Sequence, residues 1–180
     1  IAISGSAKKI DATLSSQSQY LLGQIDRGSY LSQTNYNFDG MTLGDAVNVS
    51  SYIETHSTNQ DTVLTWNRWI IINFLSKRRS PVPVATIGML HQFRETNDLS
   101  LSWMARLTRD LSCTPPKYII QGTEKARLLS ISPALDSQSK PAHPADTVLA
   151  TIISNHYLPD RTIGGAQLWI FDPSRQPVCR

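Results

Sequence analysis

Residues 61–79, DTVLTWNRWIIINFLSKRR, contain the densest run of apolar side chains in the chain, and they decide the expected fold. The run is longer than a usual strand. Asp61 or Thr62 can cap the start of a helix, and the cations at 77–79 complement the dipole at a helix C-terminus. A helix that is apolar on most sides belongs at the centre of a domain. We therefore predict a central, buried helix over residues 61–79.

Outward from this segment, helical patterns extend over the first 110 residues or so and strand-like runs follow. Thr42 would cap a helix that runs to about residue 53. Asn97 would cap another, in which Leu99, Trp103, Leu107 and Leu111 are spaced by four residues. The segment Thr147–Leu158 fits either the helical or the strand period. The strand-like runs lie at residues 117–121, 126–132 and 166–172. This order predicts an α+β fold with a helical N-terminal region of about 110 residues and then a small, mainly antiparallel sheet.

The N-terminal segment, residues 1–28, reads as an amphipathic helix that ends at Arg27-Gly28. Such a helix either packs on its own domain or projects from it as a stalk and docking element. Residues 29–180 are expected to form a single α+β domain. Tyrosines in the polar segment after the helix add the aromatic character of contact surfaces. The predicted partner-binding residues are Ile10, Leu14, Leu21, Ile25, Tyr30 and Tyr36.

The composition is that of a folded chain with few charges. Of the 180 residues, 40% are hydrophobic and 17% are charged, and the formal net charge is +3. Ser, Thr, Asn and Gln make up close to a third of the residues. No stretch approaches the ~20 apolar residues of a membrane-spanning helix. A surface made soluble by neutral polar groups favours a secreted, periplasmic or virion protein over a cytosolic enzyme.

The two cysteines, Cys113 and Cys179, lie in loop-like sequence and lack the spacing of a zinc site. Either they are independent thiols or they form one disulfide. We predict the disulfide, which would close a loop of about 66 residues and contribute roughly 4 kcal/mol in the chain-entropy model. A disulfide in turn favours an oxidising compartment.

The common motifs of nucleotide-binding proteins and hydrolases are missing from the sequence. It contains no GxxxxGK[ST], GxGxxG, HExxH or G-x-S-x-G pattern. We expect no metal and no cofactor. The sequence therefore favours a non-catalytic structural or interaction module of a secreted, envelope or virion assembly, which binds a protein partner or assembles with itself.

Two alternatives remain open. The first is a nucleic-acid-contacting component of a virion or nucleoprotein, because a basic cluster lies near tryptophans; its residues are Arg68, Lys77, Arg78, Arg79, Arg106 and Arg109. The second is a hydrolase-type enzyme. Its acid/base residues would be His143, Asp146 and His156, or the pair His91 and Glu95, which share a helix face at i, i+4.

Overall fold

The computed structural model describes residues 15–33, 40–66, 69–82, 98–123 and 144–175 of the chain. Within these residues, α-helices accompany one four-stranded sheet, so the protein is a mixed α+β protein. The elements are α1 (residues 15–21), α2 (Arg27–Gln33), α3 (Leu43–His56), β1 (Val63–Thr65), α4 (Ile71–Ser76), α5 (Asp98–Cys113), β2 (Tyr118–Gly122), α6 (Pro144–His156), β3 (Tyr157–Ile163), β4 (Ala166–Phe171) and a 3-10 turn (Pro173–Arg175).

The strands lie in the order β1-β2-β4-β3. β1 pairs with β2 in parallel, with Val63 opposite Tyr118. The other two pairings, β2 with β4 and β4 with β3, are antiparallel. The sheet is therefore mainly antiparallel, as predicted, but its parallel strand β1 comes from the region that the sequence assigns to helices.

Helices cover both faces of the sheet. Successive strand residues point to opposite faces, and Val63 and Leu64 accordingly belong to two different buried clusters. Leu64 lies in the cluster with Leu107 of α5 and Leu149 of α6. Val63 lies in the other cluster, which includes side chains of α3 and of α4. The core is thus divided into two layers by the sheet.

The prediction of one central helix over residues 61–79 is wrong. This segment contains the strand β1 and, further on, the six-residue helix α4. All three residues of β1 are buried because both faces of the sheet are covered. A strand buried on both sides has no alternation of apolar and polar residues, so it reads as part of a continuous apolar run.

The predicted boundary of the N-terminal helix is also wrong. Residues 15–21 are helical, but the helix ends at residue 21 and a second helix, α2, starts at Arg27. Gly23, with φ of +69°, takes the left-handed position that the sequence assigned to Gly28. The first 14 residues lie outside the described part of the chain.

Several other expectations are confirmed. Thr42 caps α3, in a capping box with Asp45. β2 and β4 coincide closely with the strand-like runs at 117–121 and 166–172. The ambiguous segment Thr147–Leu158 proves to be both, since α6 ends at His156 and β3 begins at the next residue. The run at 126–132 lies outside the described residues.

The turn between β3 and β4 is fixed onto the start of α3. The Asp45 carboxylate accepts from the Gly165 amide at 3.2 Å while it also closes the capping box with Thr42. A Cβ atom on Gly165 would lie 1.7 Å from the Gly40 carbonyl oxygen. Only glycine allows this approach of the two backbones, so the turn holds the sheet and α3 together.

Candidate interaction surface

The end of α1 carries strongly exposed apolar side chains. Leu21 is 83% exposed, Leu22 is 72% exposed and Tyr20 is 38% exposed. Tyr20 stacks on Tyr30 of α2, with the ring centroids 4.8 Å apart and the planes inclined by 15°. We call Tyr20, Leu21, Leu22 and Tyr30 the α1 surface. Adjacent exposed apolar side chains of this kind are typical of a surface that a partner covers.

The sequence after α1 fixes the position of these leucines. The Gly23 amide donates to the Tyr20 carbonyl at 3.0 Å, and the Gln24 amide donates to the Gln19 carbonyl at 2.8 Å. These two hydrogen bonds and the left-handed glycine form a Schellman motif. The motif satisfies carbonyl groups at the helix end, so the leucines lie on a defined turn.

Asp26 then begins α2 and thereby places Tyr30. Its carboxylate accepts from the Ser29 amide at 3.0 Å and from the Ser29 hydroxyl at 2.7 Å. These hydrogen bonds to Ser29 hold the pKa of Asp26 below its usual value. A negative side chain at this end of a helix also complements the helix dipole. Tyr30 follows within the first turn of α2, where it meets Tyr20.

The residues predicted to bind a partner are partly brought together. Leu21 is exposed, while Ile25 and Tyr30 are half-buried. Leu22 was missed because it falls outside the helical stripe; its place directly before the helix-ending glycine is the signal that could have identified it. The remaining predicted residues, Ile10, Leu14 and Tyr36, lie outside the described residues.

In the basic cluster, Arg78 points into the protein and is 5% exposed. Its Nη2 donates to the carbonyl oxygens of Glu54 at 3.1 Å and Ser57 at 2.7 Å, at the C-terminal end of α3. Its Nη1 donates to the Ser76 carbonyl at 2.9 Å and to Asn59 Oδ1 at 3.0 Å, and its Nε donates to Ser57 Oγ at 2.7 Å. A guanidinium here satisfies carbonyls that the helix leaves open. Arg78 is therefore a capping residue, and a phosphate outside the protein does not reach it.

Its two neighbours are exposed. Lys77 occupies a left-handed position at the end of α4, with φ of 56°, and its ammonium lies 2.9 Å from a carboxylate oxygen of Glu54. Arg79 is exposed and forms no ion pair with the described residues. Of the three adjacent cations, Arg79 therefore offers the least compensated charge.

The arginines of α5 belong to a different side of the molecule. Arg106 and Arg109 are exposed, and each lies 3.6 Å from a carboxylate oxygen of Asp110. Because α5 and α4 pack on opposite faces of the sheet, these arginines do not share one surface with Lys77 and Arg79. Arg68 lies outside the described residues.

The residues of the predicted hydrolase site are not assembled in the described part of the chain. Asp146 is 6% exposed and accepts a hydrogen bond from the buried Trp66 indole at 3.0 Å. His156 lies at the other end of α6, about 15 Å away along the helix, and its Nδ1 is 2.6 Å from the Arg175 carbonyl oxygen. The other candidates, His143, His91 and Glu95, lie outside the described residues.

Sequence reasoning missed a polar cluster that joins α3 to β3. The Tyr52 hydroxyl donates to Asp160 at 2.8 Å, across 108 residues of chain. The Arg161 guanidinium lies 4.3 Å from the centre of the Tyr52 ring, and the His56 ring stacks against Tyr52 with the centroids 4.0 Å apart. Tyr118 meets Tyr52 edge-on at 6.2 Å. No local pattern signals this cluster, because its members come from three separate elements.

The protonation state of the two tyrosines indicates that this cluster has a structural role. Burial, followed by the hydrogen bond to Asp160, raises the pKa of Tyr52. Burial also raises the pKa of Tyr118, with the neighbouring Tyr52 and Asp160 adding to the effect. Both hydroxyls thus stay protonated at neutral pH, while a general base needs a pKa near the working pH. The cluster fastens the β3 edge of the sheet to α3.

The state of Cys113 bears on the predicted disulfide. Cys113 is half-buried and is not a free thiol. Cys179 lies outside the described residues, so the pairing of the two cysteines stays a prediction.

In the part of the chain that the structure describes, no three His, Cys, Asp or Glu side chains are grouped as metal ligands. No helix among the same residues combines the length and the apolar character needed to span a membrane.

Comparison with protein-family models, with curated proteins and with solved structures gives no significant match.

Proposed function

We propose that this chain is a non-catalytic interaction module of a secreted, envelope or virion assembly, and that the α1 surface is its docking element. One observation carries the proposal: Leu21 and Leu22 are 83% and 72% exposed on an ordered turn. Burying apolar area stabilises a complex by about 25 cal/mol per Å². Two leucines and two flanking tyrosines supply the mixed apolar and aromatic character of interface centres.

The positions of the other candidate residues add weight to this proposal. Arg78 and Asp146 each use their polar atoms inside the fold. In the described part of the chain, Asp146 and His156 lie at opposite ends of α6 and do not form a common site. The non-catalytic module is therefore the function that we put forward.

The placement in an oxidising compartment depends on the composition and on the predicted disulfide between Cys113 and Cys179. A thiol titration of the denatured, unreduced chain tests it. We expect no free thiol. Two free thiols would contradict both the disulfide and the compartment.

Site-specific photo-crosslinking tests the docking element. A photoreactive amino acid replaces Leu21 in one variant and Thr151 in a matched control, since Thr151 is also exposed but lies on α6, outside the α1 surface. In the environment where the protein normally acts, we expect the photoreactive residue at position 21 to give one discrete crosslinked product, either with a partner or with a second copy. We expect no such product from position 151. The absence of an adduct at Leu21, or equal labelling at both positions, would contradict the proposal.

A further inference from the structure

Helix α4 buries two polar side chains and exposes apolar ones, although its Ile72 packs in the core. Asn73 and Ser76 are buried. Phe74 is 79% exposed, and Ile70 and Ile71 are 38% and 37% exposed. Surface helices normally turn their apolar stripe to the core and their polar side to water. The three exposed residues lie within one turn, and we call them the α4 patch.

Hydrogen bonds hold α4 in this orientation. The Asn73 amide donates to the Val63 carbonyl at 2.7 Å, and its Oδ1 accepts from the Thr65 hydroxyl at 2.9 Å. A rotation of α4 that buried Phe74 would break both of these Asn73 hydrogen bonds and leave buried polar groups without partners. The outward position of the α4 patch is therefore built into the packing of α4 against β1.

Exposed cations directly follow α4 in the chain. The chain leaves α4 through Lys77 and Arg79, which are both exposed. Glu54 compensates part of the Lys77 charge, while Arg79 has no ionic partner in the described part of the chain. Apolar side chains beside cations complement a surface that is apolar inside and negative at its boundary.

A lipid surface fits the composition of the patch. From their exposed fractions, the three side chains present about 300 Å² of surface together. Insertion into a lipid boundary gains free energy in proportion to the apolar area that is buried, and anionic headgroups complement exposed cations beside it. We propose that the α4 patch, with Lys77 and Arg79, binds the surface of an anionic lipid bilayer.

Vesicle sedimentation tests the proposal on the full chain. The probes are vesicles of phosphatidylcholine that contain phosphatidylglycerol and vesicles of phosphatidylcholine alone. We expect binding to the anionic vesicles, with a partition coefficient about tenfold lower for Phe74→Ser and about fivefold lower for Arg79→Gln. The matched control is Leu158→Ser, because Leu158 is an exposed apolar side chain of β3 outside the patch; it should bind vesicles like the unmodified chain.

The outcomes separate this inference from the proposed docking role of α1. Equal binding of the unmodified chain and Phe74→Ser, or no binding to anionic vesicles, would overturn the inference and leave the α1 crosslinking result unaffected. Loss of binding in Leu158→Ser alone would also overturn it. Self-association that Phe74→Ser abolishes, measured by light scattering without lipid, would assign the patch to a second copy instead and overturn the lipid proposal.

Discussion

Replacing Arg78 by alanine tests whether the basic segment is part of the fold. The guanidinium donates to the carbonyl oxygens of Glu54, Ser57 and Ser76. The Ser76 carbonyl is buried and the other two hydrogen bonds are partly buried, and each acceptor that loses its donor costs about 1 kcal/mol. For three acceptors, the expected loss in the free energy of unfolding is about 3 kcal/mol. In a chain of this size, this loss lowers the melting temperature by roughly 6–12 °C.

The assay is urea unfolding with a thermal scan, and the neighbouring residue provides the control. Arg79 carries the same charge but is exposed, so Arg79→Ala should change stability by less than about 0.5 kcal/mol. Arg78→Lys should fall between Arg78→Ala and the unmodified chain, because an ammonium cannot reproduce the planar fork of donors. This milder variant keeps the test valid if Arg78→Ala does not fold.

Two results would refute the reasoning. One is a loss below about 1 kcal/mol for Arg78→Ala, which would mean that water replaces the guanidinium without cost. The other is an equal loss for Arg79→Ala. After either result, all three residues 77–79 would again be candidates for binding a ligand.

Three further predictions concern other parts of the fold. Gly165→Ala should cost about 2 kcal/mol or more in unfolding free energy, because its Cβ would meet the Gly40 carbonyl at 1.7 Å; a chemical denaturation curve that is unchanged would contradict this. Asp146→Leu should cost about 1–3 kcal/mol because it removes the buried carboxylate that accepts from the Trp66 indole, whereas Asp146→Asn, which keeps a carbonyl oxygen, should cost less in the same assay. Burial raises the pKa of Asp61, but its hydrogen bonds and its ion pair outweigh burial and hold the pKa below the usual value. The stabilisation from Asp61 is therefore complete above the pKa of the unfolded state and is lost as the pH falls from about 5 to about 3; thermal scans across this range should show a smaller decline for Asp61→Asn, and parallel declines would contradict it.

The elements that sequence reasoning predicts are those that local residues determine. The start of α3 follows from Thr42 and Asp45, which are three residues apart and form the capping box within one turn. The strands β2 and β4 are short and rich in residues with high strand propensity. Which strands pair could not be predicted from these local properties, since β4 lies between β2 and β3 in the sheet and the strands are therefore out of chain order.

The failure at residues 61–79 has a physical cause. The apolar pattern of β1 reflects two covered faces, and the second face is provided by helices that lie elsewhere in the chain. The apolar residues of α4 add to the same run, although Ile71 and Phe74 point outward. Hydrophobicity alone does not distinguish a strand that is buried on both faces from a short helix that exposes apolar side chains.

Sequence reasoning also fails for polar residues whose partners lie far away in the chain, as the basic cluster shows. The sequence places Lys77, Arg78 and Arg79 side by side, and nothing local indicates that the middle one turns inward. Its acceptors include Glu54 and Ser57, more than twenty residues earlier. In the N-terminal segment the helical stripe included Leu21 but not Leu22, because the glycine that ends the helix is Gly23 and not the expected Gly28.

The most direct test of the central claim is the unfolding free energy of the double variant Leu21→Ser/Leu22→Ser. The proposed docking role requires that these leucines do not pack against their own chain. We therefore expect the double variant to be as stable as the unmodified chain, within about 0.5 kcal/mol. A loss of about 2 kcal/mol or more would show that the leucines belong to the core of the chain, and it would contradict the assignment of the α1 surface to a partner.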